Sequence, residues 1–196
     1  MQVQTILNGV DRHGSFVYES VRWGSADKKQ LEVSVRERRN GKPLCSGCGQ
    51  TAPGYDRLPP RRYQYVPLLG LAVWLVYAPR RVECAACGVK VEKLPWSDGK
   101  SPLTIRLQWF LAGWAKRLSW REVARAFGTT WDSVFRSVKM AVKWGLAHRQ
   151  LTGIRAVGID EIQWRKGHQY LTLVYQIDGG CKRLLWIGKD RKQKTL

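Results

Sequence analysis

Acidic residues are scarce in this chain: 15 Asp+Glu stand against 34 Lys+Arg in 196 residues, a formal net charge of +19. That imbalance excludes an acidic, solvating tail and predicts a polyanionic partner, most often nucleic acid. Long apolar runs are missing too. The longest, Val66 to Ala78, is broken by Pro67 and Gly70, and it falls short of the roughly 20 residues that span a bilayer. Met1-Gln2-Val3-Gln4-Thr5 has no charged, apolar leader pattern, so neither a secretory signal nor a membrane is expected. Histidine is limited to His13, His148 and His168, whose spacing makes no ligand set. Cysteine is limited to five residues. An odd count in a paired pattern argues against a disulfide framework and for a reducing cytosol.

The cysteine that is present is informative. Cys45-Ser46-Gly47-Cys48 and Cys84-Ala85-Ala86-Cys87 are two Cys-x-x-Cys knuckles, each followed by glycine (Gly49, Gly88). Four thiolates in two pairs suit tetrahedral Zn²⁺, because two intervening residues let one tight turn present both sulfurs. The gap between the knuckles is wider than usual for such sites, but strand-like sequence fills it. Cys181 is left over and reads as a buried small residue or an idle thiol.

Within residues 1–44 the pattern suggests small β-structure, with Leu31-Glu32-Val33-Ser34-Val35-Arg36 alternating as a half-buried strand. Residues 45–92 then read as a zinc ribbon. Arg62 to Leu68 and Leu71 to Tyr77 are expected to be strands, turning at Gly70. Arg61, Arg62, Arg80 and Arg81 would gather at one end of that hairpin, as a phosphate clamp or as solvated strand ends. Residues 93–102 are rich in turn formers and read as a linker.

From 103 to 150 the periodicity is helical. Ser101-Pro102 supplies a cap and a first-turn proline, and Leu103, Leu107, Phe110, Leu111, Trp114 and Leu118 form a stripe. Ser119-Trp120-Arg121-Glu122 is a capping box. Ala124, Gly128 and Val134 follow at the spacing of a helix-turn-helix: a small residue at the crossing, a left-handed turn and a packing residue. An ordinary αα-hairpin gives the same pattern, but residues 101–150 carry nine Lys+Arg against two Asp+Glu. Thr130, Trp131, Asp132, Phe135, Arg136 and Lys139 would then lie on or beside the outward face of a recognition helix. Arg136 and Lys139 are the best candidates for base or phosphate contact, and Trp131 is placed to stack on DNA.

After Gly153 three strands are expected: a buried one from Ile154 to Ile162, then Gln169 to Ile177 and Arg183 to Gly188. Asp160 and Glu161 adjoin in the first, so they must point to opposite faces. One of them is a candidate ligand for a hard cation, although a solvated strand-end carboxylate is the commoner case.

Taken together, the four-cysteine ribbon, the basic helix-turn-helix, Val157-Gly158-Ile159-Asp160-Glu161 and Lys166-Gly167-His168-Gln169-Tyr170-Leu171-Thr172-Leu173-Val174 resemble the ISL3-family insertion-sequence transposases. The resemblance implies an α+β multidomain chain: a small β zinc ribbon, an all-α helix-turn-helix domain, then over residues 151–196 the first strands of a ribonuclease-H-like DDE domain. It implies structural Zn²⁺ on Cys45, Cys48, Cys84 and Cys87, and Asp160 as the first catalytic aspartate and a Mg²⁺ ligand. Double-stranded DNA with terminal inverted repeats is the implied partner, bound by a homo-oligomer in the bacterial nucleoid. The family's second aspartate and its glutamate lie farther downstream than Leu196. The expectation is therefore the front of a transposase, truncated or excerpted, that binds DNA without cutting it alone. The alternative is a non-catalytic DNA-binding regulator or an inhibitor of a full-length transposase; an RNA-binding ribbon has only charge and aromatics in its favour.

Overall fold

Alternating burial on neighbouring strands builds the first sheet. The computed structural model describes residues 2–180 and 183–189, so the Cys181 reading and Asp190 lie outside the described residues. The chain divides into two units, Met1–Leu146 and Ala147–Leu196. Strand β2 (Gln30–Glu37) buries Leu31, Val33 and Val35, as the alternation requires. It lies between β1 (Phe16–Trp23), antiparallel, and β5 (Leu71–Tyr77), parallel, while β4 (Arg61–Leu68) closes the edge beside β5. Leu69 and Gly70, at φ +51° and +79°, make the tight turn between β4 and β5.

Three sequence expectations change here. Residues 1–44 are not all β: Val3, Ile6, Leu7 and Val10 fall at helical spacing and form α1 (Val3–Val10), which buries Leu7. The division at residue 44/45 does not follow the strand pairing, because β4 and β5 lie between the knuckles in sequence yet pair into the sheet with β1 and β2. The ribbon proper is a second sheet of β3 (Gly54–Arg57), β6 (Arg80–Cys84) and β7 (Gly88–Val91). Nor is 93–102 a solvated linker. Trp96 is 2% exposed, with its ring edge-on to Phe16 at 4.8 Å and Tyr77 at 5.5 Å. Turn formers around it shape the path, and the tryptophan fastens that path to the core.

The helical part follows directly. Helix α2 (Ile105–Trp114) is capped by Thr104, whose side chain accepts from the Leu107 amide, rather than by Ser101. Leu103, Leu107 and Leu111 are buried as the stripe predicts, but the helix stops before Leu118, which is exposed. Helices α3 (Trp120–Ala126) and α4 (Trp131–Ala147) complete this core with Val123, Ala124 and Val134.

The second unit is an antiparallel meander of β8 (Val157–Arg165), β9 (Gln169–Gln176) and β10 (Arg183–Lys189), in the order β10-β9-β8. The first strand begins three residues later than expected. It is not buried: Val157, Ile159, Ile162 and Trp164 are exposed. Among the described residues no helix is long and apolar enough to cross a membrane.

Trp96→Ala should cost about 3–5 kcal/mol, as for a buried aromatic truncated in a packed core. Urea unfolding followed by far-ultraviolet dichroism measures it; a change under about 1 kcal/mol would return this segment to linker status.

Candidate metal centre and nucleic-acid interface

The two knuckles meet. The sulfurs of Cys45, Cys48, Cys84 and Cys87 all lie within 4.8 Å of one another, and the Cys48 and Cys84 Sγ atoms are 3.6 Å apart. Zn–S bonds of about 2.3 Å in a tetrahedron put sulfurs about 3.8 Å apart, so the donor set fits a four-thiolate ion. Cys45 and Cys84 are buried against Ala52 and Val82. The Gly47 amide donates to the Cys45 Sγ at 3.3 Å. Hydrogen bonds from the Cys48 and Gly47 amides push the Cys45 thiol down to about 7, whereas contact with the Cys48 thiol and burial push Cys87 up to about 12. Thiols so close cannot all ionise without a cation, and a coordinating metal removes their protons. Gly49 and Gly88, at φ +75° and +68°, close the two knuckles in a conformation that L side chains resist.

The arginines paired in sequence differ in their partners. Arg80 is tied to Glu92, which is 2% exposed: its Nε and Nη2 donate to Glu92 Oε2 at 2.9 and 2.6 Å, and its amide and the Tyr77 hydroxyl donate to Oε1. This buried carboxylate joins the ribbon sheet to the end of β5, and the sequence reading did not single it out. Arg81 pairs with Asp56, and Arg62 pairs with Glu32 at 3.3 Å and lies over the Trp74 ring. Of the four, Arg61 alone has no ion pair to a carboxylate among the described residues. Of the three pairs, only Arg80–Glu92 is mostly buried; those of Arg62 and Arg81 lie at the surface.

The helix-turn-helix residues are positioned by local chemistry that the sequence announced. Ser119 and Glu122 form both bonds of the capping box, Gly128 takes φ +58°, and Ala124 and Val134 are buried at the crossing. The Thr130 hydroxyl accepts from the Ser133 amide at 3.1 Å and bonds the Ser133 hydroxyl, so it serves as a cap. Trp131, Asp132, Phe135, Arg136 and Lys139 are exposed along α4. Arg136 bonds Asp132 at 2.6 Å, one turn back. An exposed i,i+4 pair is worth only about 0.3–0.5 kcal/mol, so this pair opens readily. One anchor was missed: Gln64, 5% exposed on β4, donates from its side chain to the carbonyls of Phe127 and Gly128 at 3.2 and 3.4 Å. Its own carbonyl accepts from the Thr104 amide and hydroxyl. A polar residue between Tyr63 and Tyr65 in a strand was the available signal.

Asp160 is exposed on β8, opposite Leu173, with Ile187 beyond on β10; Glu161 is opposite Thr172 and faces the other way. Asp160 Oδ1 accepts from the Glu161 amide at 2.8 Å. Mg²⁺ requires near-octahedral oxygen ligation. Among the described residues the only grouped donor set is the four cysteines, so Asp160 does not by itself fit a Mg²⁺ site, and no step follows from it.

Residues 157–196 match the family model of ISL3-type DDE transposases. Over 178 residues, 90% of its length, the chain is 26% identical to a transposase for insertion sequence element IS1001 from Bordetella parapertussis. It is 26% identical over 205 aligned positions, 97% of its length, to a transposase for insertion sequence element IS1557 from Mycobacterium tuberculosis. In both cases the chain spans 43% of the relative's length. No solved structure matches.

Stripping the protein with a strong chelator should release about one zinc per chain, read by elemental analysis, and lower the melting temperature of the first unit; Cys84→Ser should do the same. Full stability without metal would count against a structural ion. Glu92→Ala should destabilise by about 3–5 kcal/mol, because Arg80 is left as an uncompensated, mostly buried charge; a loss below about 1 kcal/mol in urea unfolding would show that the pair is not needed.

Proposed function

We propose, for a chain that belongs by its matched segment and its relatives to the ISL3 transposase family, that the α2–α4 unit reads duplex DNA at the terminal inverted repeats. In this reading α4 enters the major groove. Arg136 leaves Asp132 to contact a base edge, and Lys139 neutralises a phosphate. Zinc on the four cysteines holds the ribbon. The protein works as a homo-oligomer on DNA, and residues 151–196 open a ribonuclease-H-like catalytic domain in which Asp160 is one metal ligand. In the intact protein that domain would cut and join phosphodiesters with Mg²⁺.

The observation that carries the reading is a basic, exposed helix face held in a fixed frame. Arg136 and Lys139 project from a helix whose preceding turn is capped, buried at Ala124 and Val134, and tied to the sheet by Gln64. Exposed cations alone confer non-specific affinity; a rigid frame is what allows a helix to hold register on base edges.

Fluorescence anisotropy tests this with the inverted-repeat duplex and a scrambled duplex between 50 and 200 mM salt. Lys139→Ala should weaken both about equally and reduce the salt slope by about one; Arg136→Ala should cost about 1–3 kcal/mol on the repeat and less on the scrambled duplex. Absence of salt-sensitive affinity for any duplex would overturn the reading.

A further inference from the structure

Trp131 and Phe135 lie one turn apart on α4 with rings parallel to within 3° and centroids 5.6 Å apart. Trp120, at the start of α3, approaches both, at 5.4 and 5.6 Å. Trp120 also packs against the helical core, so the cluster is rooted at one side and open at the other. Trp131 remains 48% exposed and Phe135 37% exposed. Two stacked rings left in water at the outward edge of a helix are an unfilled contact surface.

Charge on the same two helices points to its occupant. Arg121 on α3 and Lys139 and Lys143 on α4 are exposed and make no ion pair to a carboxylate among the described residues. The two acids of residues 101–150 are both engaged: Glu122 closes the capping box and Asp132 holds Arg136. Lys139 follows Phe135 by four residues, so aromatic, aromatic and cation stand in one row along α4. A flat apolar face with cations continuing its row along the helix suits a planar, uncharged ring attached to an anionic backbone, which is a nucleobase. A paired base inside a duplex hides its face in the stack, so the platform can be filled only by a base that is unpaired or at an open step.

We propose that Trp131 and Phe135, braced by Trp120, form a stacking platform for an unpaired DNA base, so that this surface favours DNA with a melted or extruded nucleotide over continuous duplex. The proposal rests on the DNA-binding reading above and names the form of DNA that the same surface prefers. Stacking needs no hydrogen-bond readout, so the preference is largely independent of base identity.

The test compares one duplex, fully paired, with the same duplex carrying three unpaired nucleotides, the central one 2-aminopurine. The full chain should bind the unpaired form about fivefold more tightly or better, and 2-aminopurine emission should fall as the base stacks. Trp131→Ala and Phe135→Ala should bring the affinity ratio towards one and abolish the quenching, whatever they do to duplex affinity. Trp131→Phe should restore part of both, which separates stacking from a folding defect. Duplex binding with a ratio of one in the unmodified chain would overturn the platform and leave the DNA-binding reading standing. Failure to bind either DNA would overturn both. Loss of self-association in Trp131→Ala, with the ratio and quenching unchanged, would reassign the surface to a protein contact and overturn the platform.

Discussion

The amide of Gln64 is the junction on which the arrangement of the first unit depends. Its backbone carbonyl receives Thr104, which starts α2, and its side chain reaches the carbonyls of Phe127 and Gly128 in the turn between α3 and α4. One buried residue on a sheet edge therefore sets both where the helical unit begins and where its turn lies. Buried polar groups are costly when unsatisfied, so the helices have one low-energy seat on β4. A helix meant to hold register needs such a seat, since unspecific packing of Leu107 and Leu111 alone would permit sliding.

Charge is divided in the same economical way. The excess of cations is real, but it is not uniform in availability. Arg80 and Arg81 are spent on Glu92 and Asp56, and Arg62 on Glu32. Of these, the buried Arg80–Glu92 pair ties the ribbon sheet to the end of β5. Other exposed cations have no carboxylate partner among the described residues, and Arg121, Lys139 and Lys143 are those on α3 and α4 beside the aromatic stack or along its helix.

The second unit shows the opposite economy. Its three strands pair antiparallel, with a register shift in each pair, and Ile159, Ile162, Trp164 and Ile187 stay in water. Trp186 covers Gly188 so closely that a Cβ there would stand 1.9 Å from its ring, and that glycine lets the tryptophan lie flat on the strand. The strand register places Asp160 opposite Leu173, which is buried.

Local signals carried much of this structure in readable form. The knuckles, the capping box, the left-handed Gly128 and the alternation of β2 depend on residues within a few positions of each other, so spacing sufficed to find them. The buried stripe of α2 was equally plain, and helix α1 was legible in Val3, Ile6, Leu7 and Val10, though β-structure was expected there. What spacing does not encode is which distant group answers a polar side chain. The parallel pairing of β2 with β5, the seat of Trp96 among Phe16 and Tyr77, the Arg80–Glu92 pair and the reach of Gln64 to residue 128 all join segments far apart in sequence. Those choices were made by burial, because a charge or amide withdrawn from water must find its partner in three dimensions.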